Sequence, residues 1–526
     1  MTHTRSNSFL KGAFILTLAG LISKVISAGY RIPLQNLTGD IGFYIYQQVY
    51  PILGVALLLG LYGFPAAISV LVAEKGERPL SIPSFYLPVF GYMSGLCLLI
   101  FSAGYLMASD LASVMGDTRL VSALRASFAV FLLVPFAAIF RGVFQGRGNM
   151  GPTAISQITE QLLRVGLILA AAISVMRGGE VYRIGLGAAA GSMLGAFGAA
   201  VLLYVWFRKT PSFWTWERSS VDPKMGRRIL LNGIFICLNY MLLISLQLID
   251  AFTMIPGLMD NGFSVTEARE AKGVFDRGQP LVQLGTVLAS SLALAVLPSI
   301  NRKRWEKEKS AVERDAFRAV KFTLIIAAGA AVGLMYLFRD INISFFRDEA
   351  GTGPLRVFMF VIIFSSLIIT LSSILQGLGY MRQTAGILVI GVVVKTLGNL
   401  VWIPAFGVYG TAVSSIIAVA FVLVGNIVLL RQEIPWRKWF ALPWRAVFVS
   451  ASGMVVGLWI IDAVLPYVNI SGSRIWLLLF VLVRVGVGAA LYLLLLLKCG
   501  CFTRVEVAAL PARRWLMKLL PKGMKE

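Results

Sequence analysis

Histidine is all but missing: the chain has one in 526 residues, His3. That excludes histidine-based acid–base catalysis and histidine-ligated metal centres. The four cysteines, Cys97, Cys237, Cys499 and Cys501, have neither the spacing of a disulfide framework nor that of a thiolate metal site. Charge is scarce at 14% of residues, and the acidic share is the scarcer, with 25 Asp and Glu against 48 Lys and Arg. A soluble domain carries about a quarter charged residues. With 58% hydrophobic residues and a mean hydropathy of +0.80, the composition is that of a polytopic membrane protein. No loop is large enough for a soluble catalytic domain, so neither enzyme activity nor a cofactor is expected.

Apolar length is what the chain has in quantity. Fourteen stretches reach the roughly 20 residues needed to cross about 30 Å of hydrocarbon. They run from 9–30 and 44–73 at the start, through 229–254 and 274–300, to 443–466 and 475–497 at the end. The first is too long for a signal-peptide core and lacks a small-residue cleavage site, so it is expected to stay as an anchor. The net charge of +23 does not point to nucleic acid, because the basic residues fall in short loops between apolar runs. Alternating those loops from a cytoplasmic N-terminus puts 32 Lys and Arg inside, Arg141 among them, and ten outside, Lys272 among them. Such an excess predicts both termini in the cytoplasm. The segment RKRWEKEKSAVERDAFR after Asn301 and the tail RRWLMKLLPKGMK after Ala512 are expected on the anionic inner leaflet.

An internal repeat organises these spans. QGRGNM at Gln145 to Met150 returns as QGLGYM at Gln376 to Met381, and at the same offset of 231 Arg164 matches Lys395. GAAAGS from Gly187 is echoed by GTAVSS from Gly410. The repeat unit is six spans, an even number, so both copies cross the membrane in one sense. The expected fold is therefore an all-α polytopic protein of about fourteen transmembrane helices. Two parallel six-helix lobes, 1–210 and 211–440, face a central cavity; two extra helices over 441–500 and a basic amphipathic tail over 501–526 follow. Gly187, Gly191 and Gly195, four residues apart, predict close helix packing. QGRGNMG lacks the P-loop lysine pattern and reads as a tight turn.

A charge near the bilayer centre costs about 2.5 to 3.5 kcal/mol on insertion scales. The cations inside or at the edges of spans are Lys24, Arg125, Arg164, Arg277, Lys395 and Arg484. Arg277 stands out, in an apolar stretch that opens with Asp276, Arg277, Gly278, Gln279 and Pro280. A proline inside a span strips a carbonyl of its donor, which suits a helix lining a water-filled space. Asn232, Asn239, Gln247 and Asp250 form a polar stripe on 229–254. Pro51, Pro65 and Pro280 are candidate flexing points.

GFYIYQQVYP, with Gly42, Tyr44, Tyr46, Gln47 and Pro51, GFPAAIS, with Gly63, Pro65 and Ser69, and DRGQP from Asp276 together resemble a known family. It is the polysaccharide-biosynthesis branch of the multidrug, oligosaccharidyl-lipid and polysaccharide exporter superfamily, and within it the bacterial proteins grouped with SpoVB, YabM and MurJ. The likeness covers nearly the whole chain. It implies fourteen helices in two lobes and alternating access, with a lipid-linked sugar carried to the outer face of the bacterial plasma membrane in cell-wall or sporulation work. The family's lipid II flippases carry arginine where this chain has Lys24, and their second-span arginine has no counterpart at Gln47 or Gln48, which leaves the glycan open. An ion-coupled drug or metabolite antiporter of the same superfamily, kept open by Asp250 and Asp276, and a nontransporting envelope scaffold are the alternatives.

A lipid-linked sugar brings a phosphate or pyrophosphate, which needs cations placed between the lobes. Arg277 is the first expected contact, since arginine grips phosphate with two parallel donors; Lys24 follows, then Arg164, Lys395 and Arg31. Asp250, Asp276, Gln279, Asn239, Gln247 and Gln47 are expected to line the cavity or gate it. Structural roles compete: snorkelling to headgroups for Lys24 and Arg31, an i,i+4 pair with Glu160 for Arg164, and an ion pair with Asp250 or Asp276 for Arg277. Expected partners are the glycan lipid, anionic membrane lipids and a coupling ion that no sequence feature identifies. No metal is expected.

Overall fold

A computed structural model describes residues 2–76, 78–217, 224–296, 300, 302–434, 442–464, 474–504 and 506. The basic tail after Ala512 lies outside the described residues, as does Asn301. Nearly everything described is helix. In chain order the helices begin with α1 Thr2–Gly29, α2 Arg31–Leu58, α3 Phe64–Glu74, α4 Leu87–Leu106, α5 Ala108–Val114, α6 Val121–Ala129 and α7 Val134–Gly146. Next come α8 Gly151–Met176, α9 Arg183–Arg208, α10 Met225–Tyr240, α11 Leu242–Asp260, α12 Val265–Asp276 and α13 Gly278–Val296. They continue with α14 Arg302–Lys307, α15 Lys309–Phe346, α16 Thr352–Phe358, α17 Val361–Gly377, α18 Met381–Phe406 and α19 Val408–Leu430. α20 Trp444–Val464 and α21 Arg474–Lys498 come last.

The chain is a multi-pass integral membrane protein: among the described residues 12 helical runs are long and apolar enough to cross a membrane. Fourteen were expected, and the difference has two sources. The first two expected spans are joined into one run of 57 residues, Leu18–Glu74, because no loop separates them: the chain turns only at Gly39, whose backbone leaves helical geometry between two helical arms. The expected span 274–300 is divided at Arg277, the residue between α12 and α13, and α13 is not among the twelve. Pro280 therefore sits in the first turn of α13, where a missing N–H leaves no carbonyl orphaned.

The helices form two compact units, Met1–Leu284 with Gly379–Val422, and Gly285–Leu378 with Leu423–Glu526. In the first, α8 and α9 pack closely along their length. A Cβ on Gly191 would lie 2.8 Å from the Arg164 carbonyl oxygen and one on Gly195 2.6 Å from that of Glu160, so only glycine permits this approach. In the second, α15, α20 and α21 share a core of Ile325, Ala328, Met454, Leu458, Tyr492 and Leu496. There the Arg484 guanidinium bridges Asp340 and Asp462, beside a cavity of about 530 Å³. Arg125, in the first unit, lies over the ring of Tyr105.

Candidate functional site

The cations expected to matter, Lys24, Arg31, Arg164, Arg277 and Lys395, all fall in the first unit, and their surroundings separate them into neutralised and unneutralised groups. Arg31 opens α2, with Pro33 in the first turn where proline is tolerated. Its side chain is 1% exposed, which excludes snorkelling. All three guanidinium nitrogens, Nε, Nη1 and Nη2, are buried without a well-formed hydrogen bond, the Tyr30 hydroxyl being the one oxygen near enough to interact. One aromatic ring covers it instead: its Cζ lies 4.1 Å from the centroid of Tyr50, against which Tyr46 packs one turn away at 5.6 Å, and the Tyr30 and Tyr46 hydroxyls are hydrogen-bonded to each other. A guanidinium held by a ring face keeps its charge and leaves most of its five donors for another partner. Lys24, seven residues earlier and so on the same helical face, is half-buried, with no carboxylate partner among the described residues.

The other cations have carboxylates. Arg277 is fully buried and bonds Asp40 Oδ1 through Nη2 at 2.6 Å and Nε at 3.2 Å, not the nearer-in-sequence Asp250 or Asp276. The reason lies in α12. Ser264 and Glu267 form a capping box at its start, and the Ser264 bonds hold the Glu267 carboxyl below its ordinary value. Gly273 then lies so close to α2 that a Cβ there would come within 2.2 Å of the Asp40 carbonyl oxygen. That approach brings Arg277 onto Asp40. Asp276 is taken by Lys272 one turn back on α12, and Arg269 reaches Asp117 at 3.1 Å, where the Tyr44 and Tyr182 hydroxyls also donate. Lys272, read from the sequence as an outer-loop residue, is thus a buried member of the site.

Arg164 pairs with Glu160 at 2.7 Å across one turn of α8, the local alternative for it. Glu160 also holds Arg141 at 2.8 Å. Arg141, counted with the inner loops from hydropathy, is buried in α7. Its Nη1 donates to the Gly60 carbonyl at 3.1 Å and its Nε to Ser156 at 3.1 Å. Gly60 needs that donor, because Leu59–Gly63 is a π-helical turn with i to i+5 bonding, and the residue five on is Pro65, which has no N–H. Lys395 pairs with Asp250 at 2.7 Å.

The remaining expected cavity residues divide likewise. The polar stripe on 229–254 is interrupted, since α10 ends at Tyr240 and α11 begins at Leu242. Asn239 donates to the Phe235 and Met381 carbonyls, a helix-to-helix role. Gln47 Oε1, Gln247 Oε1 and Gln279 Nε2 are buried without a partner, while Gln48 donates to the Ala251 carbonyl.

Residues 9–303, which include Lys24, Arg31, Asp40, Arg141, Arg164 and Arg277, match the model of a family described as polysaccharide biosynthesis protein. The chain belongs to this family. Among its relatives in Bacillus subtilis (strain 168), the membrane protein YabM is 37% identical over 479 residues, covering 89% of this chain and 86% of YabM. The lipid II flippase MurJ of the same organism is 26% identical, covering 81% of this chain and 83% of that protein. A solved structure of lipid II flippase MurJ in an inward closed conformation superposes with a TM-score of 0.64 at 13% identity, over 93% of this chain and 97% of that one. The fold is thus that of the family's flippases. Within it, sequence reasoning missed Asp40, Arg141, Lys272 and the tyrosine rings around Arg31. Tyr46 and Tyr50 at i,i+4 were the one legible signal.

Proposed function

We propose that this protein is a flippase of the bacterial plasma membrane, with both termini cytoplasmic. Its cargo is a lipid-linked oligosaccharide or peptidoglycan-precursor-like lipid, moved from the cytoplasmic to the outer face by alternating access. The two six-span halves, 1–210 and 211–440, are the lobes that rock, and no covalent chemistry is needed. The observation that carries this reading is Arg31: a buried guanidinium with no well-formed hydrogen bond and no carboxylate among the described residues is a place made for an anion that arrives from elsewhere. Lys24, with no carboxylate partner among the described residues, adds a second positive charge on the same face. Arg277, Arg164 and Lys395 are already neutralised, so Arg31 and Lys24 hold the phosphate or pyrophosphate, and the Arg277–Asp40 pair opens and closes with the cycle. Anionic inner-leaflet lipids contact the basic loops.

The test is translocation of fluorescent undecaprenyl-pyrophosphate sugars in proteoliposomes at matched reconstitution. Arg31→Ala is expected to slow flipping by roughly tenfold to a hundredfold, the loss of one or more charge-assisted bonds to the anion, and Arg31→Lys to recover part of it. Failure of the native protein to move any glycan lipid, together with ion-coupled uptake of a small cation by the same vesicles, would replace this reading with the antiporter.

A further inference from the structure

Lys395 lies on α18, fully buried, and oxygen atoms surround its ammonium. Asp250 Oδ1, on α11, is 2.7 Å away. Three more come from α19: Ser415 Oγ at 2.7 Å, Ser414 Oγ at 3.1 Å and the Thr411 carbonyl at 3.1 Å. Four oxygens thus face a group that has three N–H donors. The shell is held by its own bonds as well as by the lysine. Asn399, one turn along α18, donates to Asp250 Oδ1 at 2.8 Å and to Thr253 Oγ1 at 2.7 Å, and accepts from Ser414. The shell also contains more oxygen than the lysine uses, since Asp250 Oδ2 and Thr411 Oγ1 are buried without partners.

One carboxylate, two hydroxyls and a backbone carbonyl, converging from two helices on a buried positive charge, are the ligands a hard monovalent cation takes. A primary ammonium matches potassium in charge and approximately in size. We infer that Lys395 is a cation this chain carries covalently. It fills an oxygen shell between α11, α18 and α19 in which a dissolved monovalent cation would otherwise bind, so these three helices need no sodium or potassium to stay assembled. A dissolved ion has to be captured on each assembly, whereas the lysine is always at hand. Deleting it leaves Asp250 buried and uncompensated, with a vacant shell of the right chemistry. This inference does not rest on the headgroup reading and needs no transport measurement.

The experiment is thermal unfolding of the full-length protein in detergent, in choline, sodium, potassium or ammonium chloride at equal ionic strength. The native protein is expected to melt at one temperature in all four. Lys395→Ala in choline chloride is expected to melt lower by roughly 5 °C or more. It should regain most of that in ammonium, potassium or sodium, with the saturating concentration dependence that mass action requires. The double variant Asp250→Asn, Lys395→Ala, which removes both charges, is expected to ignore the identity of the cation. Specific stabilisation of the native protein by sodium or potassium would overturn the inference, because the shell would then already hold a dissolved ion. So would a folded Lys395→Ala that is no more stable in any small cation than in choline. If Lys395→Ala unfolds in choline, folding restored by ammonium supports the inference and failure in every salt overturns it.

Discussion

Positions 164 and 395 stand 231 residues apart in a chain that repeats itself at that spacing, and each buries a cation. Their neutralisation differs. Arg164 takes its carboxylate from its own helix, Glu160, and shares it with Arg141 of α7, so two cations meet one acid. Lys395 takes its carboxylate from another helix, Asp250 of α11, and three further oxygens from α19. The helices that follow are matched to this difference. At Gly191 the first copy brings α9 against the Arg164 backbone, while at the corresponding Ser414 the second copy supplies a hydroxyl to the lysine. A duplicated fold has kept the sign of a buried charge and changed which helices that charge ties together.

The largest expected effect comes from removing the shared acid. Glu160→Gln leaves two buried guanidiniums without a carboxylate, at a cost of about 3 to 5 kcal/mol, and thermal unfolding should fall by roughly 10 °C. Asp250→Asn should cost about half as much, because Lys395 retains its hydroxyl and carbonyl acceptors; equal losses in the two variants would erase the contrast between the copies. A smaller effect is expected where the copies were matched to their partners. Gly191→Ser makes the first copy resemble the second, but its Cβ would stand 2.8 Å from the Arg164 carbonyl oxygen, a clash of about 1 to 3 kcal/mol measurable in the same assay.

The smallest effect lies outside both clusters and sharpens the comparison as a control. Burial first, then its bond to Asp117, push the Tyr182 phenol up to about 12, against about 10 in an unfolded chain. Between those values the unfolded chain releases its proton before the folded one does. Stability contributed by this group is therefore complete below about pH 10 and declines as pH rises to about 12. Tyr182→Phe should flatten that decline in a pH series of unfolding, while Glu160→Gln and Asp250→Asn leave it in place.

The helical class, the membrane spans and the family could be read from the sequence because they depend on local signals: apolar length, loop charge and short motifs. The Arg164–Glu160 pair was legible for the same reason, being one turn of one helix. What could not be read depends on distant packing. Arg277 finds Asp40, 237 positions away, because Gly273 lets α12 close onto α2. Arg141 looked like a loop residue because hydropathy sees only a charge at the end of an apolar run, whereas its place is set by a carbonyl that Pro65 cannot serve. Lys272 and Asp276 looked like loop and cavity groups and are each other's partner.

A straight helix of the 57 residues from Leu18 to Glu74 would extend about 85 Å at 1.5 Å per residue, far beyond the hydrocarbon thickness. Its stiffness is interrupted at Gly39, whose backbone (φ 69°, ψ −175°) departs from helical geometry in a region that side-chain-bearing residues avoid. Arg31 is on one arm of that bend and Asp40 begins the other, so the bend angle sets the distance between the vacant guanidinium and the carboxylate that holds Arg277. Spectroscopic labels on the two arms would then read, as a single distance, whether the rod straightens when an anion arrives.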